Sequence, residues 1–334
     1  MGSIGYKLKC IKNISVSNML NVVNEIHKKT KISKCRLIMD MVICSNKYGT
    51  GYYDYQEFEF YNLNKSERET YLTRVKNNSV VKMFNNKEYF KYFDNKYEFN
   101  KIFNKFLKRD WLFLNDNYDE FVKFCKNKKD FIAKPVDGIG GVGVELVEVD
   151  KKNLRKIYDS LIETNKLLVE EKIIQHPKLA KLNKTSVNTL RIVSFYDGEN
   201  VHILNKVFKI GNGGVTDNFS SGSMYTFIED SKIIVPAIDR DDNIFEVHPI
   251  SNVKLIGYEI PHYDKVVELI NECAKTVKEV KYIGWDVAIM EDDVCVIEGN
   301  CYPGIYQIKP SFLKEKKGLV EVYERAMKIK FKEL

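Results

Sequence analysis

The sequence predicts an α+β protein in which a mainly helical N-terminal region precedes a sheet-rich remainder. Residues 1 to about 125 carry apolar side chains at helical spacing. From Phe131 onward the chain changes to short apolar runs separated by turn signals, which is typical of strands. With 334 residues, 44% of them hydrophobic and 30% charged, the chain can bury a substantial core in two or three subdomains.

The N-terminal region contains two clear amphipathic stripes. Side chains three and four positions apart share one face of an α-helix, so each stripe predicts a helix with one buried side. The stripes consist of Met19, Leu20, Val22, Val23 and Ile26, and of Phe99, Ile102, Phe103, Phe106 and Leu107. We therefore expect helices throughout this region.

The sheet-rich part is predicted to combine short strands with a few helices. The segments "DFIAKP" (residues 130–135) and "LLVEEKII" (167–174) are apolar strands, with a helix near Asn153–Asn165 between them. The segment "SVNTLRIVSFYDGENVHILNKVFKI" alternates on both sides of Asp197–Gly198, which predicts a hairpin that turns there. The segment "DKVVELINECAKTVKEV" predicts a helix whose buried side holds Val266, Val267, Ile270, Ala274 and Val277.

The glycine-rich loop in "KPVDGIGGVGVELVEV" (134–149) raises the question of whether a nucleotide binds there. Gly138, Gly140 and Gly143 match G-x-G-x-x-G, which marks a dinucleotide site when a helix follows the glycines. A strand follows instead, and no Gly-Lys-Ser/Thr is present, so a Rossmann turn and a P-loop are both excluded. The loop is either a hairpin flap whose backbone N–H groups cover phosphates, or a glycine-rich surface turn.

The second motif is an acidic hairpin in "YIGWDVAIMEDDVCVIEGNCYPG" (282–304). A three-residue turn at Glu291–Asp293 predicts three cross-strand pairs, namely Met290 with Val294, Ala288 with Val296, and Asp286 with Glu298. Two opposed carboxylates repel each other unless a cation lies between them. Together with the amide of Asn300, two residues farther on the same face, they suit magnesium. The alternative is that both acids face solvent at a sheet edge.

Charge, cysteine content and hydropathy narrow the functional classes. The net charge is +7, but the lysines are interleaved with Asn, Asp and Glu, which disfavours nucleic-acid binding and fits an anionic substrate. The seven cysteines form no C-x-x-C pair, so reduced thiols are favoured over disulfides or zinc. No apolar run resembles a signal peptide or could span a membrane, which predicts a cytoplasmic protein without a membrane span.

The order of these elements resembles the ATP-grasp superfamily. A lysine precedes the central part, Lys134 precedes the glycine loop, and "LLVEEKII", a strand with Arg191, and Asp286 with "EGN" follow. More narrowly, "EEKIIQHPKLAKLNKTSVNTLRIVSF", "DNFSSGS", "HPI" and "IEGNCYPG" resemble the sugar-transfer-associated ATP-grasp family, which is related to glutamate ligases, over roughly residues 50–315. The resemblance implies an ATP-grasp fold, in which two α+β subdomains (96–180 and 181–334) grip ATP after a helical region (1–95).

The resemblance also implies a nucleotide site. Lys134 and Lys96 would contact the phosphates, under a flap formed by Gly138, Gly140, Gly141 and Gly143. Glu171 to Ile174 would form the adenine hinge, with Ile174 or Ile173 packed on the base, and His176 would contact the ribose. For three of these residues an alternative without a binding role stays open. Lys96 would be a solvated lysine at the start of a helix, Glu171 a surface residue, and His176 an ordinary loop histidine. Three residues would form a polar rim or cap turns, namely Asn188, Asp217 and Asn218.

The implied metal ligands are Asp286, Glu298 and Asn300, and the implied catalytic residues are Arg191 and Lys209. Arg191 points away from its apolar neighbours, so an anion such as a phosphoryl group would satisfy it; the alternative is a wet sheet face. The chain departs from the family pattern at two places. Gly222 stands alone in "NFSSGS", where a glycine pair is usual, and Gly284 and Trp285 stand where many relatives have an arginine.

The resemblance implies an ADP-forming carboxylate–amine ligase that uses ATP and Mg²⁺ and works through an acylphosphate. The acceptor would be a small molecule or a linked glycan with a carboxylate or an amine, in surface-polysaccharide biosynthesis, with glycosyltransferases of the same pathway as partners. An ATP-dependent small-molecule or sugar kinase is one alternative, and a non-catalytic nucleotide-binding partner of a glycosyltransferase is another. A phosphorylated acceptor as the final product, without an amide, would favour the kinase. Binding of ATP without release of ADP for any substrate pair would favour the non-catalytic protein.

Overall fold

The computed structural model describes residues 16–115, 117–138, 141–213 and 222–333. Gly140 of the predicted flap lies outside the described residues, as do Asp217 and Asn218. The described α-helices are α1 (Val16–Thr30), α2 (Lys34–Tyr48), α3 (Tyr52–Glu57), α4 (Lys65–Glu69), α5 (Arg74–Phe84), α6 (Lys91–Asp94), α7 (Lys96–Ile102), α8 (Asn104–Leu107), α9 (Tyr118–Cys125), α10 (Leu154–Glu163), α11 (Pro177–Ala180), α12 (Tyr263–Cys273) and α13 (Val320–Met327). Short 3₁₀ helices lie at Phe60–Asn62, Lys87–Tyr89, Pro310–Phe312 and Phe331–Glu333.

The described strands are β1 (Trp111–Phe113), β2 (Asp130–Lys134), β3 (Glu145–Glu148), β4 (Leu168–Glu170), β5 (Thr189–Tyr196), β6 (Val201–Ile210), β7 (Met224–Glu229), β8 (Lys232–Ile233), β9 (Ala237–Ile238), β10 (Ile244–Phe245), β11 (Tyr282–Ile289) and β12 (Val294–Asn300). The predicted α+β class is confirmed, because helices dominate up to Leu107 and strands follow. The chain divides into two compact units, one formed by residues up to 79 and from 305, the other by residues 80–304. The boundaries predicted at 95 and 180 stay predictions.

The first unit is built on the helical hairpin of α1 and α2. Val22, Val23 and Ile26 of the predicted stripe are buried, whereas Leu20 is exposed because the buried face of α1 is narrower than the stripe. Helix α2 begins at Ser33, whose hydroxyl accepts a hydrogen bond from the Arg36 N–H. These helices share one core with aromatic residues, namely Tyr48 at the end of α2 and, after it, Tyr55, Phe58, Phe60 and Tyr71.

The last part of the chain completes this first unit. The Gln307 side chain pairs with the backbone of Leu72 in both directions, accepting from its N–H at 3.0 Å and donating to its carbonyl at 2.9 Å. Gly318 lies so close to residue 70 that an added Cβ would be 2.6 Å from the Thr70 carbonyl oxygen. Residues 305–333 are therefore built into the same core region as residues 70–72.

The second unit contains a small antiparallel sheet in the order β1-β4-β2-β3. Helices α9 and α10 cover it, and the core between them includes Phe121, Phe131, Tyr158, Leu161 and Val169. Strands β2 and β3 pair as a hairpin around the glycine loop, so the predicted strand–loop–strand arrangement is confirmed. The strand predicted at "LLVEEKII" is shorter than expected, because the ladder ends at Glu170.

The second unit also contains a larger antiparallel sheet in the order β10-β9-β7-β6-β5-β11-β12, with β8 paired to β7. The predicted hairpin around Asp197–Gly198 is confirmed as β5 and β6. Strands β5 and β11 each have a neighbouring strand on both sides, and all eight residues of each are buried. Helix α12 contributes Val266 and Ile270 to the same core.

The observed register of the hairpin formed by β11 and β12 differs in part from the predicted register. Ile289 pairs with Val294 and Ala288 with Cys295, so the predicted pairs Met290–Val294 and Ala288–Val296 are wrong. The turn holds one residue more than expected, since the Met290 N–H donates to the Asp293 carbonyl at 2.8 Å. A bulge between Asp286 and Val287 then restores the offset, and Asp286 pairs with Glu298 as predicted.

None of the helices in the described part of the chain combines the length and the apolar content needed to cross a bilayer.

Candidate functional site

Asp286 lies at the centre of a buried ion-pair cluster on the large sheet. It pairs across the strands with Arg191 of β5, and Lys209 of β6 lies one diagonal step beyond. Arg191 Nε donates to Asp286 Oδ1 at 2.6 Å and Arg191 Nη2 donates to Oδ2 at 2.7 Å. Lys209 Nζ lies 2.9 Å from Oδ1 and 3.0 Å from Oδ2. The anion that satisfies Arg191 is therefore this carboxylate.

The electrostatics of Asp286 follow from these contacts. Burial alone would raise the pKa of this carboxyl group, but the adjacent Arg191 and Lys209 outweigh burial and hold the pKa below its usual range. The carboxylate thus stays ionised, and the three groups together carry one net positive charge. The alternative that Asp286 faces solvent is contradicted, because it is only 5% exposed.

A glycine makes room for the Arg191 side chain. An added Cβ at Gly284 would lie 3.2 Å from Arg191 Cδ and 2.9 Å from Pro303 Cα. Arg191 Nη1 donates to the Pro303 carbonyl at 2.9 Å, which fixes the guanidinium in this place. Gly284 is one of the positions that depart from the family pattern, and the structure gives the reason, since the space is already occupied by an arginine from the neighbouring strand.

Glu298 and Asn300 lie on strand β12, and Glu298 pairs with Asp286 of the neighbouring strand β11. Both β12 residues are half-buried, and Asn300 Nδ2 donates to Glu298 Oε1 at 3.1 Å. The remaining oxygens of these two side chains are a carboxylate and an amide oxygen, which are ligands that magnesium accepts. This pair therefore fits a magnesium ion.

Asp286 does not fit a magnesium ion in the same arrangement. Its two oxygens already accept four hydrogen bonds, and the two donors are cations. Among the described residues, no group of three or more His, Cys, Asp or Glu side chains could hold a metal ion. The structure brings the predicted set of Asp286, Glu298 and Asn300 together on neighbouring strands. The positive charge that Asp286 faces is supplied by the side chains of Arg191 and Lys209.

Lys134 lies in a second buried cluster, at the end of strand β2. Lys134 Nζ lies 2.8 Å from Glu170 Oε1, and Asn100 Nδ2 donates to the same oxygen at 2.7 Å. Arg109 Nε donates to Glu170 Oε2 at 3.0 Å. Burial would raise the pKa of Glu170, but Arg109 and Lys134 hold it below its usual range. Lys134 is thus a buried lysine held by a fixed carboxylate.

Arg109 connects this cluster to the acidic hairpin. Its Nη1 donates to the Leu107 carbonyl at 3.1 Å and to the Val296 carbonyl of β12 at 2.9 Å. The same guanidinium therefore holds Glu170 on the small sheet and a backbone oxygen on the large sheet. The two sheets meet at the site through this side chain.

Lys96 lies at the start of helix α7 and contacts the flap. Its backbone N–H donates to the Val136 carbonyl at 3.0 Å, and its Nζ donates to the Gly138 carbonyl at 2.7 Å. Burial lowers the pKa of Lys96, the charge of Lys134 lowers it further, and the charge of Glu298 opposes both. Lys96 thus lies within electrostatic reach of the flap lysine and of the acidic hairpin.

The described flap glycines all have positive φ angles, namely 138° at Gly138, 74° at Gly141 and 79° at Gly143. L-residues rarely adopt such angles, so glycine is required for this loop. At Gly143 an added Cβ would also lie 3.1 Å from the ring of Pro135. The backbone of the flap therefore depends on these glycines.

The predicted adenine hinge follows β4 directly. Glu171 is exposed, its N–H donates to the Asp110 carbonyl at 2.8 Å, and its carboxylate accepts from the Asp110 N–H at 3.2 Å. Ile174 is 79% exposed, so its side chain is available to pack against a ligand. The buried acid of this segment is Glu170, one residue earlier than the acid singled out from sequence.

His176 and Asn188 make contacts within the fold. His176 begins helix α11, where its Nδ1 accepts from the Lys178 N–H at 3.0 Å, and burial and the nearby His262 lower its pKa. Asn188 is fully buried; its Oδ1 accepts from the Gly211 N–H at 3.1 Å and its Nδ2 donates to Gln175 Oε1 at 2.8 Å. His176 thus caps the N-terminus of a helix. The amide of Asn188 holds Gly211 and Gln175 in place.

Sequence reasoning missed Arg109, Glu170 and Asn100. The one usable signal is the pair of adjacent acids in "LLVEEKII", since a buried strand that carries an acid needs a cation nearby. Nothing local identifies Arg109 or Asn100 as the partners, because 61 and 70 residues separate them from Glu170.

The chain matches one family model and is similar to several solved structures. A family model described as sugar-transfer-associated ATP-grasp matches residues 66–322. No curated protein gives a significant match. Similar solved structures include D-alanine–D-alanine ligase from Helicobacter pylori, at 17% identity over 64% of this chain and 55% of that chain, with a TM-score of 0.40.

Two further structures match at similar levels. L-amino acid ligase from Bacillus licheniformis has 13% identity over 63% of this chain and 41% of that chain, with a TM-score of 0.38. The ATP-grasp ligase PsnB, complexed with minimal precursor, Mg and ADP, has 13% identity over 74% of this chain and 62% of that chain, with a TM-score of 0.41. The chain therefore spans between 41% and 62% of the length of these three structures.

Proposed function

Because the chain belongs to the sugar-transfer-associated ATP-grasp family, we propose that it is an ADP-forming ligase that joins a carboxylate to an amine or a similar nucleophile. The observation that carries this proposal is the position of Lys96. Its ammonium contacts the glycine flap at Gly138 and lies within electrostatic reach of Lys134 and Glu298. One polar region thus combines flap, cations and acidic hairpin, which is what a triphosphate and its counter-ion require.

Lys96 and Lys134 are proposed to hold the phosphates of ATP beneath the flap. A lysine ammonium is a compact charge that offsets the repulsion between phosphate oxygens. Glu298 and Asn300 would hold Mg²⁺, which when bound would offset further charge on the phosphates. Glu170 keeps Lys134 in place through a 2.8 Å contact, so the flap lysine meets the nucleotide in a defined position.

Arg191 and Lys209 are proposed to stabilise negative charge that develops during the reaction. Asp286 fixes both cations but cancels only one of their two charges, so one positive charge remains to act on the substrate. The groups are buried and already in place, so little reorganisation is needed when charge develops. Asp286 acts here as a positioning residue.

The chemistry takes two steps. An oxygen of the acceptor carboxylate forms a bond to the γ-phosphorus while the bond from that phosphorus to the bridging oxygen breaks, which releases ADP and leaves an acylphosphate. The amine nitrogen then bonds to the acyl carbon, the carbon–oxygen bond to phosphate breaks, and the amine loses a proton. Neither step needs a nucleophile from the protein, so positioning and charge stabilisation suffice.

The proposed acceptor is a sugar or glycan precursor of a surface polysaccharide that carries a carboxylate or an amine. The support for this class is the sugar-transfer association in the description of the family. Glycosyltransferases of the same pathway are the proposed partners.

The test is release of ADP in the presence of Mg²⁺ and pairs of acceptors and donors. Sugar nucleotides with uronic acids are scanned against amino acids, and products are identified by mass spectrometry. We expect repeated turnover of ATP to ADP, beyond one equivalent per protein chain, only when both substrates are present, together with an amide product. A Lys209→Met variant is expected to bind ATP but to release ADP far more slowly.

Two other results would point to the alternatives. A phosphorylated acceptor as the final product, without an amide, would identify a kinase. Binding of ATP without release of ADP for any pair would favour a non-catalytic nucleotide-binding protein.

A further inference from the structure

Helix α2 of the first unit is apolar on two opposite faces. Its inner face, with Leu37, Met41, Cys44 and Tyr48, is buried in the core. Its outer face presents Met39, Val42 and Ile43 to solvent, at 64%, 52% and 58% exposure, and Cys35 is exposed one turn earlier. A surface helix normally carries polar residues on its outer face, so three large apolar side chains there require an explanation. We refer to Cys35, Met39, Val42 and Ile43 as the outer stripe.

The segment of chain that carries the outer stripe is strongly basic. Between residues 26 and 53 the single acid is Asp40, whereas the Lys and Arg residues are Lys28, Lys29, Lys31, Lys34, Arg36 and Lys47. Asp40 is occupied within the fold, since its two oxygens accept from Arg68 at 2.8 and 2.7 Å. Arg36 and Lys47 border the stripe directly, each within about 80° of Met39 around the helix.

The charges argue against a second copy of this chain as the occupant. Arg36 and Lys47 lie on the same side of Met39, at about 60° and 80° around the helix. An antiparallel pair of copies that met through the outer stripe would therefore bring Arg36 of one copy beside Lys47 of the other. Like charges in such positions repel, and the stripe carries no acid to offset them. The occupant that complements this surface is apolar at its centre and negative around it.

We propose that the outer stripe of α2 docks onto an anionic lipid bilayer. The helix lies along the membrane surface, the side chains of Met39, Val42 and Ile43 enter the region between headgroups and acyl chains, and the flanking cations contact lipid phosphates. Apolar insertion or a basic cluster alone gives weak binding, whereas the two together give stable but reversible binding. This surface lies in the first unit and is independent of the proposed ligase activity.

The experiment is sedimentation of the full chain with lipid vesicles. Vesicles of phosphatidylcholine alone are compared with an equimolar mixture of phosphatidylglycerol and phosphatidylcholine, at low and at high salt. We expect binding to the anionic vesicles at low salt, and weaker binding at high salt because the lipid charge is screened. The double variant Arg36→Gln/Lys47→Gln is expected to lower the partition coefficient by about tenfold to thirtyfold.

The apolar contribution is tested with Met39→Ser/Ile43→Ser. All four residues changed in these two variants are exposed, so the fold is expected to survive, and thermal unfolding checks this. The matched control is Ile244→Ser/Ile250→Ser, which replaces two residues of 55% and 60% exposure in the other unit. We expect Met39→Ser/Ile43→Ser to lose binding by about tenfold or more, and the control to bind as the unchanged chain does.

Cys35 supplies a direct report of insertion. A polarity-sensitive fluorophore attached to Cys35, in a Cys10→Ser background, is expected to shift to the blue when anionic vesicles are added. Brominated lipids are expected to quench it, which a contact in solution would not cause.

Four results would overturn the proposal. The first is absence of vesicle binding at low salt, and the second is equal binding by the unchanged chain and both α2 variants. The third is a dimer that Met39→Ser/Ile43→Ser dissociates, which would make the stripe an interface between copies. The fourth is a fluorophore already shifted without lipid that becomes solvent-exposed when residues 1–15 are removed, which would show that the chain covers its own stripe.

Discussion

Arg191 and Asp286 face each other directly across strands β5 and β11 and form a buried ion pair with two hydrogen bonds, of 2.6 and 2.7 Å. Lys209 adds a second cation to the same carboxylate. A buried ion pair fixes the positions of both partners. Replacement of one partner by a neutral residue leaves the charge of the other uncompensated in the protein interior. The relationship therefore affects stability and the proposed chemistry together.

The first prediction concerns the replacement Asp286→Asn. Arg191 and Lys209 would lose their counter-charge in the interior, so we expect the free energy of unfolding to fall by about 3–5 kcal/mol. Chemical denaturation measures this change. Glu298→Gln is the control on the neighbouring strand, and since Glu298 is half-buried we expect a loss below about 1 kcal/mol. Equal losses for the two variants would contradict the central position assigned to Asp286.

The second prediction concerns magnesium. Asn300→Ala and Glu298→Gln are expected to raise the Mg²⁺ concentration that half-saturates ADP release by roughly tenfold or more, because the first removes an oxygen ligand and the second removes the negative charge of the other ligand. Titration of Mg²⁺ at saturating ATP measures the shift, and calorimetry of Mg²⁺ binding to the nucleotide complex provides a readout without turnover. Asp292→Asn, an exposed acid in the turn of the same hairpin, is expected to change neither value. Unchanged Mg²⁺ dependence in Asn300→Ala would count against this assignment.

The third prediction concerns the flap. Gly143→Ala forces an L-residue to a φ of 79° and places a Cβ 3.1 Å from Pro135, so the loop must move. We expect weaker ATP binding, measured by calorimetry or by the KM for ATP. Gly198→Ala is the matched control, because Gly198 also has a positive φ, of 111°, but has no neighbouring atom within 4 Å of the added Cβ.

Both glycine variants are expected to lose about 1–2 kcal/mol of stability through backbone strain. The affinity for ATP should fall in Gly143→Ala alone. An equal loss of affinity in Gly198→Ala would show that general destabilisation explains the result.

The fourth prediction concerns Glu170 and pH. Its pKa in the folded chain lies below the usual 4.5, because Arg109 and Lys134 outweigh the effect of burial. The folded state therefore gains stability from this carboxylate above pH 4.5, and that gain is lost as the pH falls through the lowered pKa. In Glu170→Gln we expect lower stability at neutral pH and a shallower decrease below pH 4.5.

Denaturation midpoints measured from neutral to acidic pH test this prediction. Glu171→Gln is the matched control, since Glu171 is the exposed neighbour of Glu170 and its contact is with the Asp110 backbone. We expect Glu171→Gln to follow the unchanged chain. If stability decreased equally steeply below pH 4.5 in Glu170→Gln and in the unchanged chain, the ion pairs of Glu170 would be ruled out as the cause of that decrease.

Local pattern predicted the elements that depend on nearby residues. The alternation around Asp197–Gly198 predicted the hairpin of β5 and β6, and the β-branched residues after the glycines predicted a strand in place of a helix. These features follow from side-chain spacing and turn chemistry, which a short segment contains in full.

The pairing of Asp286 with Glu298 was predicted with an incorrect turn. One extra turn residue and one bulge residue cancel, so the pair nearest the site is right while the pairs nearest the turn are wrong. Turn length and bulge position depend on packing against the neighbouring strand β5, which the hairpin sequence does not contain.

The contacts of Arg109 and Glu170 could not be predicted for a similar reason. All three residues of β4 are buried, so its alternation does not show which acid points inward. The partner of Glu170 is brought in by the fold from 61 residues earlier. Charge pairs of this range require knowledge of the topology.

The return of residues 305–333 to the first unit has a consequence for folding during synthesis. The N–H and the carbonyl of Leu72 both form hydrogen bonds with the side chain of Gln307. Leu72 leaves the ribosome long before Gln307 does. The unit that is translated first is therefore completed last, after residues 80–304 of the other unit have been made. Until then the N–H and the carbonyl of Leu72 lack the partner that the folded chain gives them.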